Sequence, residues 1–90
     1  MRRDPYTAHS CAQDPDGFAL GFGRAADWVK TARPERAALV HHAIAASTNQ
    51  PWPVTATRIG FRPTAYGEGL ALGIYGVVAL RQLRPVEATA

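Results

Sequence analysis

Two stretches of this 90-residue chain pair side chains that can bind metal or act as nucleophiles: His9-Ser10-Cys11 and His41-His42. Imidazole nitrogens and a thiolate are zinc ligands, and a thiolate beside an imidazole is a nucleophile. The spacing argues against both uses. Neighbouring residues on a helix point about 100° apart, so His41 and His42 do not converge on one ion as an i, i+4 pair does. On the helical wheel His41 points to solvent and His42 lies on the margin. Cys11 falls in a polar arm with no helix N-terminus predicted nearby to lower its pKa. The acids Asp14, Asp16, Asp27, Glu35, Glu68 and Glu87 show no paired spacing on one element. The sequence therefore predicts no catalytic residue, no metal site and no cofactor. The metal- or thiol-dependent enzyme is the weakest reading.

Gly21-Phe22-Gly23-Arg24-Ala25-Ala26 has the form G-x-G-x-x-A. In dinucleotide folds such glycines let a pyrophosphate approach a helix N-terminus. That motif continues into a second parallel strand ending in an acidic residue about 20 residues on. Here that distance reaches a helical stretch beside His41 and His42, so turn and packing glycines explain the match better.

The remaining chemistry is that of contact. Arg58, Arg62, Tyr66, Gly73, Tyr75, Arg81 and Trp52 are the candidate partner-binding residues. Arginine, tyrosine and tryptophan dominate binding hot spots, and arginines with a stacking ring also suit a nucleic-acid strand. Trp52 lies between Pro51 and Pro53, where it either caps the core or anchors a partner. Trp28 reads as core.

The elements that must position these residues follow from periodicity. Asp14-Pro15-Asp16-Gly17 is a turn signature. Phe18, Leu20 and Phe22 alternate with small residues, as a short strand would. Ala25, Trp28, Val29 and Ala32 make a helical stripe. Pro34 breaks that helix and suits the first position of another, with Glu35 near the positive end of the dipole. The second helix runs to about Ser47, burying Leu39, Val40, Ala43 and Ile44. Two apolar runs, from Val54 to Arg62 and from Leu70 to Arg81, flank Tyr66-Gly67-Glu68-Gly69 with strand-like parity, which predicts a β-hairpin.

The expected fold is α+β, in the order β-α-α-β-β: a small antiparallel sheet with one kinked or two consecutive helices on one face. The domain spans residues 17–84, with an irregular arm at 1–16 and a frayed tail at 85–90. The other sheet face would carry Arg58, Arg62, Gly73 and Tyr75, flat enough for close approach.

Bulk properties set the frame. At 90 residues this is one small domain with a thin core, for which oligomerisation is a common remedy. Its 47% hydrophobic and 19% charged residues suit a folded chain, and its +3 charge attracts nucleic acid only mildly. The arginine and alanine excess is also what a GC-rich genome produces. One cysteine rules out an internal disulfide and fits a reducing compartment. No signal peptide is evident, and the longest uncharged apolar stretch, Gly69 to Leu80, is shorter than the roughly 18–20 residues of a membrane helix. The expectation is a cytoplasmic, non-catalytic binding module acting by protein–protein interaction and forming a homodimer. A bacterial or phage inhibitor or regulator that masks a larger macromolecule fits this description; nucleic acid on an Arg/Tyr sheet face is the alternative partner.

Overall fold

In the computed structural model, which describes residues 13–47 and 49–82, the chain is built from helices: α1 (Pro15–Gly23), α2 (Ala25–Thr31), α3 (Pro34–Ala45), α4 (Trp52–Ile59) and α5 (Ala65–Gln82). Among the described residues there is no strand. The expected α+β sheet and its β-α-α-β-β order are overturned. Phe18, Leu20 and Phe22 belong to α1, the two hairpin strands are α4 and α5, and Tyr66-Gly67-Glu68-Gly69 is the first turn of α5 rather than a hairpin tip. Most of the expected arm and tail lie outside the described residues, as do His9 and Cys11.

Local chemistry explains each start and stop. Asp14 caps α1: its Oδ1 accepts from the Gly17 N–H at 3.0 Å, with Pro15 at the first helical position and Asp16 in the first turn. Proline's fixed φ suits a turn and a helix start equally, which is why Asp-Pro-Asp-Gly reads both ways. Between α2 and α3 the chain is extended at Ala32 and Arg33, with ψ of 156° and 145°, so the helical region is two helices separated at Pro34. α3 buries Ala37, Val40, Ala43 and Ile44, while Leu39, expected inside, is exposed.

α4 buries Trp52, Thr55, Ala56 and Ile59, an i, i+3, i+4, i+7 stripe that was present in the sequence beneath the strand-like alternation. Gly60 ends it at φ 75°, in the left-handed region that glycine enters without penalty. The Gly60 N–H reaches the Thr57 carbonyl and the Phe61 N–H reaches the Ala56 carbonyl, a complete Schellman motif. Four residues later Thr64 caps α5: its hydroxyl oxygen accepts from the Gly67 N–H at 3.2 Å, and its carbonyl accepts from the Trp52 indole N–H at 3.1 Å. Glu68 is fully buried near that N-terminus, where the helix dipole favours a carboxylate.

α5 is the axis of the fold. Against it α1 packs in parallel, because contacts advance together along both helices: Phe18 with Gly69, then Phe22 with Gly73. The two backbones touch. A Cβ on Gly21 would lie 2.1 Å from the Tyr66 carbonyl oxygen, and one on Gly69 would lie 2.0 Å from that of Phe18. Gly21 of α1 and Ala25 at the start of α2 lie against α5, where Gly69 and Gly73 meet Phe18 and Phe22, so small residues at spacing four line both sides of the contact. Such rows let helix backbones approach more closely than the usual 8–10 Å between axes. Ala71 and Ile74 of α5, Val40 and Ile44 of α3, Val29 of α2 and Ile59 of α4 fill the core on its other sides.

Candidate functional site

Without a sheet, the expected docking face is dismantled. Gly73 is buried, where an added Cβ would lie 2.6 Å from the Ala25 Cβ. Trp52 is 3% exposed and held by its bond to Thr64, so it caps the core. Tyr75 lies near parallel to His41, ring centroids 4.7 Å apart, which makes His41 half-buried and leaves His42 as the exposed histidine of the pair, the reverse of the expected placement. Arg58 is exposed on α4, and Arg81 borders a shallow cleft with Val29, Ala38 and Val78 at the far end of α5. Only Arg62 and Tyr66 come together.

What gathers around that pair is a groove that neither element forms alone. Phe61, placed by the Gly60 turn, stands edge-on to Trp28 of α2 (centroids 6.0 Å apart) and to the buried Trp52 (6.5 Å). The Arg36 guanidinium lies 5.7 Å from the centre of the Phe61 ring, within cation–π range, and donates to the Ile59 carbonyl. Between these groups and Tyr66 runs a cleft of about 340 Å³, with Arg62 on its rim. A second cleft, of about 510 Å³, continues past Trp28 and Tyr66 to Arg24, Asp27 and Thr31. Trp28, Tyr66 and Leu70 line both, so the two are halves of one groove.

The groove carries three arginines and one carboxylate along an aromatic floor. Arg36 is committed to Ile59 and Phe61. Arg24 and Arg62 are exposed, and among the described residues neither guanidinium has a carboxylate or hydrogen-bond partner. Trp28, expected in the core, packs against it while remaining half-buried beside the groove, and Arg24 and Phe61 are groove residues that the sequence does not single out. The sequence carries one trace of the groove, two arginine–aromatic pairs four residues apart, Arg24/Trp28 at the start of α2 and Arg62/Tyr66 across the start of α5.

A second surface lies on α1. Phe18 and Phe22 stack with centroids 6.4 Å apart, and Leu20 and Phe22 are each 52% exposed. Ala19 and Gly23 run alongside as a small-residue row, and a Cβ at Gly23 would meet nothing within 4 Å. The four residues lining this cleft, Phe18, Ala19, Phe22 and Gly23, are all uncharged.

Among the described residues no group of three His, Cys, Asp or Glu side chains could hold a metal ion, and no helix is long and apolar enough to cross a membrane. The chain matches no family model, no curated protein and no solved structure.

Proposed function

We propose that this chain is a non-catalytic binding module that works by protein–protein contact through the outer face of α1, and that its first partner there is a second copy of itself. The observation that carries the reading is the Phe18–Phe22 stack, half-buried at Phe18 and exposed at Phe22, with its neighbouring row of Ala19 and Gly23. Contiguous exposed apolar surface on a small protein marks an interaction site. A row of large residues beside a row of small ones is self-complementary: across a two-fold axis, the rings of one copy fit over the alanine and glycine of the other. The uncharged Phe18, Ala19, Phe22 and Gly23 would meet their copies without like-charge repulsion. A homodimer also supplies the buried area that a chain of this size lacks. In the cell such a module would act as an inhibitor or regulator by covering a surface of a larger macromolecule, in the cytoplasm.

Light scattering after size exclusion, across a concentration series, tests this reading. The wild-type chain should run as a dimer. Phe22→Asp should run as a monomer with unchanged helix content, and Phe22→Leu should remain dimeric. A wild-type chain that stays monomeric at every concentration removes the homodimer, and a dimer indifferent to Phe22→Asp places the contact elsewhere.

A further inference from the structure

The groove between α2, the α4–α5 connector and α5 goes beyond that reading and does not depend on it. We infer that it is a binding site for a nucleotide unit, a planar base joined to a phosphate, taken either free or as part of a single strand. Three features point to this class. Arg62 and Arg24 offer planar guanidinium donors that no side chain of the described residues occupies, at either end of the groove. Unpaired arginines suit phosphate because the guanidinium fork matches its oxygens. Between them Trp28 and Tyr66, both half-buried, flank the space with ring surface, and Phe61 braces Trp28 edge-on. A base stacks on such rings regardless of its identity. Finally, the clefts of about 340 and 510 Å³ fall within the roughly 300–1,000 Å³ typical of small-ligand sites.

Asp27 orients the ligand. Among the described residues it is the single carboxylate along the groove, and it sits in the half with Arg24, so a phosphate is disfavoured beside it. The phosphate belongs at Arg62, next to the positive charge of Arg36. The ring lies on Tyr66 and Trp28, and Asp27 and Arg24 face the polar edge of the base or the sugar hydroxyls, one as acceptor and one as donor.

The two tryptophans provide the readout. Trp28 lines the groove while Trp52 is buried with its indole bonded to Thr64, so their indole N–H resonances report site and core separately. Titrating the full chain at low salt with adenosine 5′-monophosphate and with a short oligothymidylate should move the Trp28 signal, identified by its loss in Trp28→Phe, and leave that of Trp52 in place. Arg62→Ala should weaken binding about tenfold, and Arg24→Ala by a smaller factor, with the fold intact by circular dichroism since both side chains are exposed. Tyr66→Ala should lose most of the affinity, and Tyr66→Phe should keep it. Saturation by the mononucleotide identifies a free nucleotide as the ligand; affinity that grows with oligonucleotide length identifies a single strand. The inference is overturned if neither probe gives a saturable Trp28 shift. It is equally overturned if Arg62→Ala binds like wild type, or if an oligoglutamate peptide or adenosine alone binds as tightly as the monophosphate.

Discussion

On the side of α5 that meets α1, the helix presents glycine, and its backbone touches that of its neighbour. On the side that meets α2 and the α4–α5 connector it presents Tyr66 and Leu70, and an open groove remains. The two sides start within one turn of each other: Gly21 comes against the Tyr66 carbonyl, while Tyr66 itself lines the groove. Where side chains are absent the helices close until backbone meets backbone, and no room is left for a ligand. Where the rings of Trp28, Phe61 and Tyr66 prop elements apart, space persists with arginines at its edges. The difference teaches that glycine on this helix is a packing device, whereas the open groove is built from the bulky residues opposite.

The strongest way to break that contrast is Gly69→Ala. Its Cβ would lie 2.0 Å from the Phe18 carbonyl oxygen, so α1 must move, and we expect a loss of about 3 kcal/mol in urea unfolding. A neutral outcome would mean the helices do not touch. Gly73→Ala meets the Ala25 methyl at 2.6 Å and the Phe22 carbonyl at 2.9 Å, and should cost a smaller amount, about 1–2 kcal/mol. Asp14→Ala removes the α1 cap and should lower stability by about 1 kcal/mol. If it costs more than Gly69→Ala, α1 is held by its own start signal rather than by α5.

At Gly76 the sign reverses. An added methyl meets nothing within 4 Å there, so Gly76→Ala should raise stability by about 0.5–1 kcal/mol through helix propensity alone. A destabilised Gly76→Ala would show that glycine serves this helix outside the α1 contact. The smallest effect belongs to the groove side: Arg62→Ala should leave the unfolding midpoint within about 0.5 kcal/mol of wild type, because its side chain is exposed and unpaired. A large loss there would recast Arg62 as structural.

Much of the middle of the chain was readable before any coordinates. The stripe Ala25, Trp28, Val29, Ala32 and the proline start at Pro34 are local signals, and α2 and α3 occupy those positions. The flanking regions misled because their cues serve two structures. Leu70, Leu72 and Ile74 alternate as a strand does, yet Ala65, Gly69 and Gly73 repeat every four residues, as one side of a helix does. Four glycines in α5 make the strand reading attractive, since each weakens an isolated helix by about 1 kcal/mol relative to alanine. Burial against α1 outweighs that local preference. The candidate site is legible only in part: the sequence picks out Arg62 and Tyr66 but places them on a sheet face with Gly73 and Tyr75, from which the helical fold separates them.

By itself the sequence determined the helical stripe from Ala25 to Ala32, the break and helix start at Pro34, and the basic balance of its charge. These depend on φ preferences and hydrogen bonds spanning a few residues, which local chemistry settles. Tertiary structure alone decided that Gly21 and Gly69 meet, that Trp28 comes beside Phe61 and Tyr66, and that Arg24 and Arg62 stand at opposite ends of one groove. Those pairings join residues far apart in the chain. Glycines such as Gly21 and Gly69, weak helix formers on their own, become favourable only where helix backbones press against one another.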